Sequence, residues 1–211
     1  KLLFNSVKSC NFEELYNLIS FEGFHINDLQ YIDEELNKSN LSIFYELCKN
    51  DYFKLVDYLV RNTNINVNFK KKFKSPLVLA VQNANIDLIS SLLNSPNIDV
   101  NFALEKEKIN FYTTSSFYKT SLHIAIENNH IEIVILLLKH PKINANSRFL
   151  YNNYQTIFHM EYTGTPLILA IKNKNIEIIK LLLACPEIDA NSKLLAKNID
   201  NFRCSKKPAL Y

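Results

Sequence analysis

Residues 165–191 read TPLILAIKNKNIEIIKLLLACPEIDAN, and residues 120–146 carry the same pattern without a gap as TSLHIAIENNHIEIVILLLKHPKINAN. Residues 75–101, SPLVLAVQNANIDLISSLLNSPNIDVN, are a third copy. Pro96, Pro141 and Pro186 recur at intervals of 45 residues, and so do Asn101, Asn146 and Asn191. Working outward, a fourth copy, SIFYELCKNDYFKLVDYLVRNTNINVN, starts 33 residues earlier at Ser42. A fainter fifth, LLFNSVKSCNFEELYNLISFEGFHIN, fits residues 2–27. Pro208-Ala209-Leu210-Tyr211 reads as the opening of a sixth. Self-similarity at a fixed period is the signature of a repeat array, in which each unit buries its apolar face against its neighbour.

Each copy has one local grammar. Ser or Thr followed by Pro, as in Thr165-Pro166, predicts a helix start with the hydroxyl residue at the N-cap. Leu167, Ala170 and Ile171 then recur at helical spacing. An Asn-containing break leads to a second short helix over Ile176–Leu183, with apolar positions at Ile176, Ile178, Ile179, Leu182 and Leu183. Pro186 stops it, and Ile188 to Asn191 reads as an extended step into a turn. Helices of about 8 to 10 residues are not stable alone, so they depend on stacking.

These residues, T-P-L-x-x-A, then I-E-I-V/I-x-L-L-L, then I-D-V/A-N, closely resemble the ankyrin repeat. The resemblance covers residues 42–211 well and residues 1–41 loosely, and Thr120-Ser121-Leu122-His123-Ile124-Ala125 with Asn129 to Val134 is its best match. It implies an all-α solenoid of stacked helix pairs with protruding β-hairpins. The expected boundaries are an atypical N-terminal capping repeat at 1–41, repeats at 42–74, 75–119, 120–164 and 165–207, and the start of a further repeat at 208–211. Departures are informative. The family's Gly between the two helices is replaced by Asp51, Ala84, Asn129 and Lys174, of which only some tolerate left-handed backbone comfortably. The T-P-L-H histidine survives only as His123, and the resemblance implies that His123 and His130 bond backbone between units.

The connections from Asn101 to Thr120 and from Asn146 to Thr165 are much longer than the family's, and they are aromatic. Phe102, Phe111, Tyr112, Phe117 and Tyr118 lie in the first; Phe149, Tyr151, Tyr154, Phe158 and Tyr162 lie in the second. Loop closure entropy grows slowly with length, so insertion is tolerated. Five rings per loop suggest more than tolerance. Phe102 and Phe149, nearest the repeat body, are expected to be structural. Phe111, Tyr112, Tyr151 and Tyr154, nearer the tips, are the candidate protein-binding anchors, since aromatic side chains dominate hot spots. Packing of the hairpins against one another is the competing reading. In the resembled family the ends of the first helices line a concave face. Carried over, this gives Lys49, Gln82, Glu127 and Lys172, each followed by Asn, as a polar ladder that could equally be plain solvated surface.

Composition bounds the rest. The chain has 211 residues, 47% hydrophobic and 21% charged, which is ordinary globular usage. Only 2 residues are Gly while 28 are Asn and 23 Ile, so turns lean on Asn. A net charge of +3 leans against nucleic acid or an anionic membrane as the main partner. The basic run Lys70, Lys71, Lys72 and Lys74 reads as a solvated turn. No apolar stretch approaches the ~18 residues of a membrane span. Cys10, Cys48, Cys185 and Cys204 show no paired spacing and read as reduced thiols of a cytoplasmic protein. His25, His123, His130, His140 and His159 lack metal-ligand spacing. Glu132 and Glu177 recur too regularly for a catalytic pair. No phosphate-cradling glycine loop or nucleophile elbow is present.

The expected function is therefore non-catalytic protein–protein recognition as a scaffold or adaptor, with no cofactor and no metal. The absent initial Met and the unfinished last copy suggest a piece of a longer chain, for which a cytoskeletal or other large assembly is an expected setting. The alternative is a regulatory or targeting arm of an enzyme whose catalytic domain lies outside these residues.

Overall fold

The structure, a computed structural model, describes residues 43–62, 65–68, 75–105, 118–153, 160–193 and 195–198, together with the helical residue Asn17. The chain forms two compact units, residues 1–99 and 100–211.

In the first unit, helices α1 (Ile43–Lys49) and α2 (Phe53–Asn62) form one antiparallel-type pair, and α3 (Pro76–Gln82) and α4 (Ile86–Leu93) form the next. First helix packs on first helix and second on second, so α1 meets α3 and α2 meets α4. Phe44, Leu47, Val56, Leu59, Leu77, Ala80, Ile89 and Leu92 are fully buried between them. Each of these side chains larger than Ala80 contributes about 1.5–3 kcal/mol by leaving water, which is what holds helices this short.

The second unit repeats the scheme with α5 (Ser121–Glu127), α6 (Ile131–Leu138), α7 (Pro166–Lys172) and α8 (Ile176–Leu183). Leu122, Ala125, Ile126, Val134, Leu137, Ala170, Ile178 and Leu182 have no exposed surface. Among the described residues, five strands accompany these helices: β1 (Ala103–Glu105), β2 (Tyr118–Thr120), β3 (Phe149–Asn153), β4 (Met160–Gly164) and β5 (Leu195–Asn198). They pair antiparallel in chain order into one sheet. The lengthened connections thus form hairpins, Ala103 opposite Thr120 and Phe149 opposite Gly164. Sequence does not anticipate their joining edge to edge, through Tyr118 opposite Leu150 and through Tyr162 opposite Ala196. Pairing satisfies strand edges that would otherwise stand open.

Among the described residues, the turn within each helix pair carries a left-handed residue: Asp51 (φ 66°), Ala84 (54°), Asn129 (56°) and Lys174 (56°). The next residue closes the helix behind it, as Asn85 N–H donates to the Ala80 carbonyl (3.0 Å) and Asn175 N–H to the Ala170 carbonyl (3.2 Å). This closure needs positive φ at the preceding residue, so the position where the resembled repeat carries glycine keeps its backbone shape here without one.

Helix starts are less uniform than their sequences. Ser75 Oγ accepts from Val78 N–H at 3.3 Å, as an N-cap should. Thr165 has the N-cap backbone but no side-chain cap bond, and its Oγ1 is buried without a hydrogen-bond partner. The expected N-cap place of Thr165 and first-turn place of Pro166 both hold, without a side-chain bond. In the copy before, the residue three positions on is His123, which offers the hydroxyl an acceptor; here it is Ile168, which offers none.

Candidate functional site

What fixes the surfaces of this protein is a bracket made by the recurring Asn and Pro residues together. Pro96, Pro141 and Pro186 each sit inside a tight turn after the second helix, closed by Ile98, Ile143 and Ile188 N–H donating to the Ser95, His140 and Cys185 carbonyls (3.3, 3.0 and 3.2 Å). Proline suits that place because its fixed φ matches the turn. The turn leaves one carbonyl and one N–H two residues on facing outward. The closing Asn of the preceding copy takes both. Asn101 Nδ2 donates to the Lys142 carbonyl (2.7 Å) and its Oδ1 accepts from Asn144 N–H (2.7 Å). Asn146 does the same with the Glu187 carbonyl (2.6 Å) and Asp189 N–H (2.8 Å). In the first unit Asn68 spans the Asn97 carbonyl (2.6 Å) and Asp99 N–H (2.8 Å). The Asn is held in turn by an Asx turn, since Asn68, Asn146 and Asn191 N–H donate to the side chains of Asn66, Asn144 and Asp189, each at 3.0 Å. The sequence showed these recurrences without their meaning; the signal was the shared interval of prolines and asparagines.

His123 makes a second bracket in the residues 100–211 unit. It is wholly buried at the third position of α5. Its Nδ1 accepts from Thr120 N–H (3.1 Å) and from the Thr120 hydroxyl (2.9 Å), and its Nε2 lies 3.1 Å from the Ser147 carbonyl oxygen. That network places the ring proton on Nε2. Burial pulls the imidazole pKa down from 6.5 to about 4, and the Lys119 charge adds to this, while the bond to Ser147 opposes it. Phe149 meets the ring edge-on, centroids 5.6 Å apart at 77°. His130 behaves differently from the sequence expectation: it stands at the N-cap of α6 without a side-chain cap bond. Asn85 and Asn175 hold that place in α4 and α8 and accept from Leu88 and Ile178 N–H at 2.8 and 3.1 Å, a reach that short amide side chains have and an imidazole lacks here.

The candidate anchors divide sharply. Phe102 and Phe149 are buried, as structural rings should be. Tyr151 stands in β3 directly opposite Tyr162 in β4. Phe111, Tyr112 and Tyr154 lie outside the described residues, as do the lysines 70–74. Of the polar ladder, Lys49 ends α1 beside Glu46 (3.6 Å) and Gln82 ends α3 half-buried. Glu127 ends α5 in a 2.6 Å ion pair with Lys119 of β2. Lys172 is exposed at the end of α7. The Asn after it is no free contact point: Asn173 Nδ2 donates to the Ile126 carbonyl at 3.0 Å and so ties α7 to α5.

Cys48 is buried and free, with its thiol pKa pushed up by desolvation. Among the described residues, no three His, Cys, Asp or Glu side chains converge as metal ligands would. No described helix is long and apolar enough to cross a membrane. Compared with known proteins, residues 100–193 match a family model described as ankyrin repeats (3 copies). No curated protein matches the chain.

Proposed function

Residues 100–193 being ankyrin repeats, modules that in general bind other proteins, we propose that this protein is a non-catalytic scaffold or adaptor. It docks a protein segment on a preformed surface. The observation that carries the reading is the bracket system of the 100–211 unit. Asn101, Asn146 and His123 fix the helix ends and the roots of the lengthened hairpins by hydrogen bonds of 2.6 to 3.1 Å. A rigid frame lets binding energy go into the contact rather than into ordering the binder.

Within each unit the ends of the first helices, Lys49 and Gln82 in one and Glu127 and Lys172 in the other, supply a polar surround. The protruding hairpins supply the anchors Phe111, Tyr112, Tyr151 and Tyr154, whose rings offer large, stiff contact area. The proposed setting is a filamentous, cytoskeletal-type assembly in the cytoplasm. The test is capture from the source cell's lysate with the 211-residue chain beside a variant carrying those four aromatics changed to Ser, with circular dichroism as the folding control. A protein retained by the parent and lost by the folded variant is the expected result. A protein retained equally by both removes the hairpins from the recognition surface.

A further inference from the structure

The hairpin of β1 and β2 joins the rest of the sheet through a narrow seam. β3 faces β4 along its whole length, from Phe149 opposite Gly164 to Asn153 opposite Met160. Among the described residues β2 meets β3 through Tyr118 opposite Leu150 alone. The root of the hairpin is firm: Ala103 stands opposite Thr120, Phe102 before it is buried, and Thr120 is bonded to His123. One residue out from that root, Lys119 Nζ lies 2.6 Å from Glu127 Oε1, and only 16% of the lysine side chain is exposed. Lys119 stands two residues before α5, and Glu127 is the last residue of that helix. A helix of this length spans about 10 Å, so the two side chains meet only where β2 leans over α5. Tyr118, on the other face of β2, is exposed.

The pair is particular to this copy. Its positions hold Gly164 and Lys172 in the next copy, Lys74 and Gln82 in the one before, and Leu41 and Lys49 in the one before that. None of these joins opposite charges. The pair is partly shielded, so it is screened less than a surface pair, yet Glu127 keeps enough contact with solvent for other cations to compete for it.

We propose that Lys119 and Glu127 form an electrostatic latch that holds the first hairpin over the end of α5. Besides lining the polar surround, Glu127 is then a positioning residue for the hairpin. Salt, or a partner's basic side chain that takes the Glu127 carboxylate, lets β1 and β2 swing about the root at Phe102 and Thr120. This role rests on the hairpins carrying recognition, since the latch sets where the first of them stands.

Amide exchange of the unbound 211-residue chain tests the latch, read over residues 118–120 and at Leu150, with α6 as the reference for the helical frame. Lys119→Met keeps the lysine stem and loses its charge. It should speed exchange at the seam at least ~10-fold while leaving α6 within about twofold. Glu127→Gln should match it. Exchanging the charges, Lys119→Glu with Glu127→Lys, should return the seam towards the parent rate, which a role in packing alone would not do. Raising sodium chloride from about 50 to about 500 mM should loosen the seam of the parent and leave that of Lys119→Met unchanged. Seam rates unmoved by Lys119→Met, equal acceleration of the seam and α6, or failure of the exchanged charges to restore the seam each overturns the proposal. The readout needs no partner, so a failed latch is distinguishable from failed capture by the four aromatics.

Discussion

His123 Nε2 lies 3.1 Å from the carbonyl oxygen of Ser147, 24 residues further along the chain. The same ring holds Thr120 through Nδ1. One neutral imidazole therefore fixes the start of α5 to the root of the next hairpin. A second proton on Nδ1 would point a donor at the Thr120 N–H, so the contact exists only in the neutral form.

Stability should consequently fall in mild acid. The folded-state pKa of His123 is near 4, below its ordinary 6.5, so the unfolded chain takes up the proton first. The stabilisation is complete above pH 6.5 and is lost as pH falls towards 4. The gap corresponds to about 3 kcal/mol. Urea midpoints measured from pH 7.5 to 4.5 should show this slope, and His123→Gln should flatten it while lowering the plateau.

The asparagine brackets make a comparison with a built-in control. Asn146→Ala and Asn101→Ala each remove two hydrogen bonds between copies and should cost about 1–3 kcal/mol. Asn191→Ala, at the bracket that grips nothing among the described residues, should change stability by less than about 0.5 kcal/mol. Thermal unfolding of the three variants, monitored by circular dichroism, checks the order.

The interhelical turns predict gains. Ala84 and Lys174 hold positive φ, where an L side chain clashes with the backbone and glycine does not. Ala84→Gly and Lys174→Gly should each stabilise by about 0.5–1 kcal/mol, after allowing for glycine's freer unfolded state. Asn129→Gly should be close to neutral, because Asn tolerates this conformation and also accepts from Asn175 Nδ2 at 3.1 Å. Chemical denaturation of each single variant measures the differences.

The helix pairs were legible in the sequence because Thr165-Pro166, the Leu167 to Ile171 face and the Ile176 to Leu183 face are local patterns with one period. The structural roles of Phe102, Phe149 and His123 were legible too, since position within the repeat sets them. The purpose of Asn101 and Asn146 was not. Their partners lie at positions 142–144 and 187–189, and nothing local says that a proline turn there presents its backbone. The edge-to-edge sheet was equally hidden, because Tyr118 meets Leu150 only once two hairpins have been stacked. Thr165 takes the N-cap place its motif predicts, yet its hydroxyl stays unpartnered, because Ile168 stands where His123 would offer it an acceptor.

Gly164 explains why one of only two glycines stands where it does. A Cβ built there would come 2.9 Å from Phe149 Cε1 and 3.2 Å from Ile168 Cγ2. Phe149 is buried and braced by His123, so it has little room to give. Gly164→Ala should therefore destabilise by about 1–3 kcal/mol. A lowered melting temperature, with the deficit reduced when Phe149→Leu is added, would identify the clash with the ring as the cause.

Hydrogen exchange of the 211-residue chain, alone and bound to its captured partner, tests recognition on the frame most directly. The account predicts slowed exchange at residues 106–117 and 154–159 and at the ends of α5 and α7 around Glu127 and Lys172. Slowed exchange that leaves both hairpin loops unchanged would contradict it.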